Sequence, residues 1–320
     1  VVFYDADGNL LGPDDWTNRG VTAKIKGVQP EPNDENVPSG IKGYEWRYVD
    51  KLNWNFVNAE SATNDGISFL SNPNENDPRT IEVRAVSNAG NKGEPISVLI
   101  PIDQNHPVEP DVKLQDEDGN DISPGSWAGS AVSVTVYSTP KSSGAPVDHY
   151  KIQFVKSESA SDEDLDELTY DPDKWEVFDP LNPKTLEPQA DGTLFGVLFA
   201  KTVDKAGNES EIRKVAVRID TNRPDMPIVN LAPSDAEVGN LDWYKGKVGF
   251  TIDLPAAQEN RAPIDPGSVR YQYTNDSKQT GVDWQSGTTG TVPVDEDVDE
   301  GIYTLIVTVK NVAGIESLLK

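Results

Sequence analysis

Two stretches carry the acidic spacing with which a calcium-binding loop begins: Asp5-Ala6-Asp7-Gly8-Asn9 and Asp116-Glu117-Asp118-Gly119-Asn120. A twelve-residue loop of that kind also needs Gly at its sixth position and Glu at its twelfth, for the sharp turn and the bidentate ligand. Counted from Asp5, those positions hold Leu10 and Trp16; from Asp116, they hold Asp121 and Trp127. Both stretches fail twice, and Asp-Gly-Asn is read instead as a turn between short strands.

Other chemistry is thinner still. The only histidines are His106 and His149, and no Gly-x-Ser-x-Gly elbow accompanies them. Neither phosphate-cradling glycine pattern, Gly-x-x-x-x-Gly-Lys or Gly-x-Gly-x-x-Gly, is present. Carboxylates are so numerous that an acid–base pair could be drawn anywhere, which makes their presence uninformative. No residue is assigned a catalytic, cofactor-binding or metal-ligating role, and the chain is expected not to be an enzyme. Asn208-Glu209-Ser210 and Asn275-Asp276-Ser277 fit the N-glycosylation pattern, which chance supplies often in Asn- and Ser-rich chains.

The 54 acidic residues outnumber 28 basic ones, for a formal net charge of −26. Phosphate backbones need a basic surface, so nucleic acid is excluded as a partner, and anionic lipid surfaces are disfavoured for the same reason. The charge divides as −7 over residues 1–103, −12 over 104–220 and −7 over 221–320. The surplus in the middle comes from an insertion, Ser157 to Asp179, with ten acidic residues against Lys174 alone. Within it, Asp162 to Leu168 is expected to form a short helical turn, and the whole a solvated loop or short helix; a metal or partner site is the alternative. Cys is absent, so no disulfide or thiolate site exists. No apolar run reaches the roughly 20 residues of a membrane span, so no insertion is expected.

The elements that would position any site repeat three times. Thr202-Val203-Asp204-Lys205-Ala206-Gly207-Asn208 recurs as Ala85 to Asn91 and as Val309 to Ile315, the last with Ile315 in place of Asn. Gly and Asn tolerate the positive backbone angles of a tight turn, and apolar alternation flanks the turns, so each reads as strand, hairpin, strand. The runs before the turn are Ile81/Val83/Ala85, Leu198/Ala200/Thr202 and Leu305/Val307/Val309. After it come Val98/Ile100/Ile102 and Val215/Val217/Ile219, at identical offsets. Earlier in each repeat a Trp (Trp16, Trp127, Trp243) precedes a strand: Val21/Ala23/Ile25, Val132/Val134/Val136 or Val248/Phe250/Ile252. A second strand follows, Tyr44/Trp46/Tyr48, Tyr150/Ile152/Phe154 or Tyr271/Tyr273, and then a second Trp: Trp54, Trp175 or Trp284. A period of two marks a strand with one face on a core, and the Trp slots are read as core or sheet-covering. Gly301-Ile302-Tyr303 is the one place where a tyrosine hydroxyl tie to nearby backbone is suggested.

Three modules follow: 1–103, 104–220 with the acidic insertion 157–179, and 221–320, whose last strand reads as curtailed. Their linkers match, Ile102-Asp103-Gln104-Asn105-His106-Pro107-Val108-Glu109-Pro110 against Ile219-Asp220-Thr221-Asn222-Arg223-Pro224-Asp225-Met226-Pro227. Two prolines in so short a link favour a stiff, extended connection.

Val-Asp-Lys-Ala-Gly-Asn-Glu-Ser, then Ile-Asp-Thr-Asn-Arg-Pro-Asp-Met-Pro, resembles the bacterial immunoglobulin-like (Big-type) repeats of large secreted and surface proteins. The likeness covers nearly the whole chain. It implies an all-β fold, three tandem immunoglobulin-like antiparallel β-sandwiches in an elongated array, with no catalytic residues to carry over. It implies an extracellular segment of a longer cell-surface polypeptide, a structural and adhesive stalk, with a host matrix protein or glycan as candidate partner. The alternatives are a direct adhesin module or an accessory region of a secreted polysaccharide-degrading enzyme. Ile-Asp-x-Asn-x-Pro is also loosely similar to the calcium-bound junctions of cadherins. No cofactor is required, and Asp103 and Asp220 carry two readings: ending a strand and capping a turn, or holding junctional calcium.

Overall fold

A computed structural model describes residues 1–28, 37–71, 79–141, 143–233, 247–276, 280–292 and 301–319. Trp243 and Ser277, each part of a motif named above, lie outside the described residues.

The first stretch of chain forms β1 (Val2–Tyr4), β2 (Leu10–Leu11), β3 (Val21–Lys24), β4 (Ile41–Tyr48), β5 (Asn55–Asn58), α1 (Ala59–Asn64), β6 (Ile67–Phe69), β7 (Thr80–Ser87) and β8 (Ile96–Leu99). They make two sheets, ordered β2-β1-β3-β6 and β5-β4-β7-β8. The second stretch forms β9 (Asp111–Gln115), β10 (Asp121–Ile122), β11 (Trp127–Ala128), β12 (Val132–Tyr137), β13 (Val147–Ser157), α2 (Asp162–Glu167), β14 (Glu176–Phe178), β15 (Lys184–Leu186), β16 (Thr193–Asp204) and β17 (Arg213–Asp220). Its sheets run β10-β9-β12-β15 and β11-β17-β16-β13-β14. The third forms β18 (Ile228–Pro233), β19 (Val248–Asp253), β20 (Arg270–Asn275), β21 (Thr280–Ser286), β22 (Thr289–Val292) and β23 (Tyr303–Thr308), in sheets β18-β19-β22 and β21-β20-β23. The three sandwiches share one plan, to which the second adds the short β11, parallel to β17 at the edge of the second sheet. The early strands pair in one sheet, the chain crosses to the second, returns for one strand, and crosses back. That is the immunoglobulin arrangement.

The alternating residues face inward as their period requires. Val21, Ala23 and Ile25 meet Ile81, Val83, Ile100 and Ile102 across the first sandwich. Val132, Val134 and Val136 meet Ile152, Leu198, Ala200, Val215, Val217 and Ile219 across the second. Phe250 and Ile252 meet Val269, Tyr271, Val307 and Val309 across the third. Each fully buried aliphatic or aromatic side chain contributes about 1.5–3 kcal/mol by leaving water, so these rows supply most of what holds the sheets face to face. Pairing registers agree between sandwiches: Tyr44 lies opposite Ala85, and Tyr150 opposite Thr202.

One strand departs from the alternation. All twelve residues of β16 are buried, on both faces. The acidic insertion is the cause. Leu165 and Leu168, from α2 and the residue after it, form a second small core with Ala160, Trp127, Trp175, Phe195, Val197 and Phe199 against the outer side of the sheet. Ser161 caps α2 by accepting from the Asp164 amide at 3.1 Å, and Leu165 is 1% exposed. The expected short helix is therefore present, but it is a packed cover rather than a solvated loop.

Candidate functional site

The repeated turn is built from its own first side chain. In the second module the Asp204 amide donates to the Asn208 carbonyl at 3.0 Å, and Gly207 donates to the Asp204 carbonyl at 2.9 Å. Gly207 stands at φ 83°, which only glycine adopts without strain. Asp204 Oδ1 and Oδ2 then accept from the Asn208 amide and side chain at 2.9 and 3.1 Å. Gly90 and Gly314 take the same angle, and Ser87 and Asn311 accept from the amides of Asn91 and Ile315. Asp5 and Asp116 hold Asn9 and Asn120 in the same manner, with Oδ1 on the amide and Oδ2 on the side chain. Their carboxyls are held below the ordinary range chiefly by these asparagine side chains. Both stretches are hairpin turns, β1 to β2 and β9 to β10, as the Asp-Gly-Asn reading anticipates.

The Asp204 and Asn311 turns meet the end of the preceding module and its linker, and there the chain gathers its least expected chemistry. Asp103 is fully buried. Its amide donates back to Thr17 of the first module at 3.0 Å. Oδ1 accepts from the Asn105 amide and side chain, both at 2.9 Å. Oδ2 accepts from the Ala145 amide of the second module at 2.7 Å and from Lys141 Nζ at 3.3 Å. The same ammonium donates to the Asn105 carbonyl at 2.6 Å and to Asp204 Oδ2 at 3.2 Å. Asn208 Nδ2 closes the joint on the Asp103 carbonyl at 2.9 Å.

The second junction repeats the first. Asp220 is fully buried, with Oδ1 accepting from the Asn222 amide and side chain at 3.0 and 2.8 Å. Oδ2 accepts from the Ala262 amide at 2.8 Å and from Arg261 Nε at 3.0 Å. Asn311 stands where Asp204 stands in the first junction, and its side chain reaches the Asn222 carbonyl at 3.5 Å. Of the two readings held for Asp103 and Asp220, capping describes what their carboxylates do. The oxygens a junctional calcium would need are taken by Lys141 and by backbone donors at the first junction, and by Arg261 and backbone donors at the second. Among the described residues no group of three or more His, Asp or Glu is placed to hold a metal ion.

A third repeated cluster lies on the outer side of each second sheet. Glu45 pairs with Arg84 and Lys92 at 2.7 and 2.9 Å. Glu209 pairs with Lys151 and Lys201 at 3.0 and 2.7 Å, and Glu316 with Arg270 at 2.9 Å. The acid changes position between modules while the place of the cluster stays fixed. The second Trp of each module lies on a cation there: Trp54 under Arg84 at 3.9 Å, Trp175 under Lys201 at 4.4 Å, Trp284 under Arg270 at 5.5 Å. Cation–π contact of this sort adds about 0.5–1 kcal/mol at exposed sites. Lys92, then Arg84, hold the Glu45 carboxyl below its ordinary range against burial. Lys201, then Lys151, do the same for Glu209.

The remaining candidates are separate. His106 Nδ1 donates to the Glu209 carbonyl at 2.7 Å, whereas His149 Nδ1 pairs with its neighbour Asp148 at 2.7 Å. Asn208 is buried, its side chain committed to the junction. Within the insertion, Asp162 pairs with Arg218, whose Nε also donates to the Ala160 carbonyl at 2.7 Å. The Ala160 amide donates to Asn260 Oδ1 of the third module at 3.0 Å. A tyrosine hydroxyl tie to backbone occurs at Tyr44 and Tyr150, which accept from the Gly27 and Ser138 amides at 2.6 and 2.9 Å.

Lys141 and Arg261 escape the reading of the sequence, yet a signal exists. Both precede a closely similar short string, Ala145-Pro146-Val147-Asp148 and Ala262-Pro263-Ile264-Asp265, from different distances.

No protein-family model matches the chain, and no curated protein matches it. Among solved structures it is similar to the FN1-FN3 domains of chicken CNTN1, with 10% identity, a TM-score of 0.34, and coverage of 96% of this chain and 94% of that one. It is also similar to domains A168-A170 of titin, with 15% identity, a TM-score of 0.33, and coverage of 97% and 92%. By its own sheets and crossings the chain is an all-β protein of three tandem immunoglobulin-like sandwiches. The described residues include no helix long and apolar enough to cross a membrane.

Proposed function

We propose that the chain is a non-catalytic stalk segment of a bacterial cell-surface protein, holding a functional part at a distance and orientation. The observation that carries this reading is the pair of matched junctions. Each has a buried aspartate whose every carboxylate oxygen is hydrogen-bonded, three of four donors in each coming from backbone amides or an Asx side chain. Spacers need defined joints; a catalytic or ligand-binding array needs a cleft, and the polar clusters here are satisfied by their own neighbours. The bacterial, extracellular and adhesive context is drawn from the resemblance of the repeats, and an adhesive contribution would come from a glycan or host matrix protein bound along the array. The net charge of −26 would keep neighbouring stalks apart and soluble.

Two measurements test the reading. Small-angle scattering of the whole chain should give an extended particle whose length is unchanged by calcium or chelator. A glycan and matrix-protein array probed with the purified chain should then give no saturable signal. A reproducible ligand competed by soluble glycan would replace the spacer reading with that of an adhesin module.

A further inference from the structure

We infer that Lys141 and Arg261 are resident counter-cations that set the angle between neighbouring modules, taking the place a bound metal would otherwise occupy. Three oxygens converge on one point at the first junction, since Asp103 Oδ2, Asp204 Oδ2 and the Asn105 carbonyl lie 3.3, 3.2 and 2.6 Å from Lys141 Nζ. Both carboxylates are fully buried and the ammonium is 13% exposed, so water contributes little to their balance. Hard oxygens grouped in this way, two of them anionic, are what a calcium ion takes as ligands. Here the charge is supplied by the chain. A buried carboxylate without its partner is strongly unfavourable, because neither water nor a counter-charge replaces what was lost.

Geometry puts the cation across the joint rather than inside one module. Asp103 is tied by its amide to Thr17 of the first module, while Lys141, Ala145 and Asp204 belong to the second. Arg261 does the same at the next joint, binding Asp220 Oδ2 at 3.0 Å and the Arg223 carbonyl at 3.2 Å. The two joints differ in charge. The first holds two carboxylates and one ammonium; the second holds one carboxylate and one guanidinium, with neutral Asn311 in the place of Asp204. Removing the cation therefore leaves different vacancies. At the first joint it leaves two facing carboxylates and a carbonyl. At the second it leaves one carboxylate still held by the Ala262 and Asn222 amides.

The test uses the absence of cysteine, which lets spin labels be placed on the full chain without background. Exposed sites are Leu52→Cys and Leu181→Cys across the first joint, and Leu181→Cys with Thr289→Cys across the second. The unaltered joints should each give one narrow distance distribution, the same in calcium and in chelator. Lys141→Ala should lose the narrow distribution across the first joint only, and millimolar calcium should restore it, with a calorimetric signal of one ion per chain. Arg261→Ala should lose it across the second joint only, with no response to calcium. Lys141→Arg should keep it. Should Lys141→Ala fail to fold, Lys141→Met with Asp204→Asn copies the charge of the second joint in the Arg261→Ala chain, one carboxylate and no cation, and should be broad and calcium-blind. A Lys141→Ala chain as narrow as the parent would overturn the inference, and so would a parent joint that narrows on adding calcium. Either result leaves the stalk reading to be judged by its own length and binding measurements.

Discussion

The outer faces of β7 and β16 occupy the same place in successive modules and are finished in opposite ways. On β7 the outward residues Glu82 and Arg84 are paired with Arg47 and Glu45, and Trp54 lies over the two guanidinium groups. On β16 the outward residues Phe195, Val197 and Phe199 are covered by the acidic insertion. The inward faces are alike. A strand thus alternates or does not according to whether a second layer covers it, and the layer here is a stretch that composition alone would send into solvent. The ten acidic residues face out, while Leu165, Leu168, Tyr170 and Trp175 do the packing.

The largest effect should come from removing that layer. Deleting residues 158–172, which keeps Trp175 and β14 and copies the shorter link of the first module, should expose the outer face of β16, seen as loss of slow hydrogen exchange in β16 and aggregation of the whole chain. Adding Val197→Thr and Phe199→Glu, the residues of β7 at those places (Thr80 and Glu82), should recover a soluble chain; failure to recover would break the comparison. Next, Leu165→Ala should cost the second module about 2–4 kcal/mol in denaturant titration, since a fully buried leucine leaves a cavity. Glu82→Gln on the outer face of β7 should cost about 1 kcal/mol, the upper end for an ion pair that keeps some contact with water.

Acid should produce the smallest difference. The carboxyls of Glu45 and Glu209 are lowered by their basic partners, so their contribution is complete above the unfolded glutamate value of about 4.3 and is lost as pH falls through the lowered native value. Melting temperatures of the parent, Glu45→Gln and Glu209→Gln should therefore differ at neutral pH and converge as the pH falls through the lowered native values of the two carboxyls. Solvent screening keeps each difference small. Variants that differ from the parent as much at low pH as at neutral pH would show that the pairs do not matter through charge.

Most of the fold could be read from period and turn. Val21/Ala23/Ile25 and its equivalents point inward because side chains alternate across a strand, and Gly90, Gly207 and Gly314 all take the positive angle that the repeated Ala-Gly implies. Asp103 and Asp220 were conspicuous for their place in matched linkers, but their partners were not. Lys141 lies 38 residues from Asp103, and Arg261 lies 41 from Asp220. The Ala-Pro string that follows each cation is a faint local mark, at a different distance in each case, and the lysine meets its carboxylate only after two sandwiches have folded and docked. The same limit hid the cover on β16. A helix of six residues has too few turns to show a period, and only the outer face of the sheet gives Leu165, and Leu168 just after the helix, their meaning.

The two ends of each joint are unlike. A trailing end offers Asp-x-Asn, and the next leading end offers a cation, an Ala amide and the tip of a hairpin. Such a contact is head-to-tail, so the array has a direction and neither end is complementary to a copy of itself. Because each half of the connector is short and lies at one end of its module, a duplicated module arrives already able to join its neighbours on both sides. Nothing in the joint counts how many have been added. Reach in this architecture is set by copying, with the geometry of each step left unchanged.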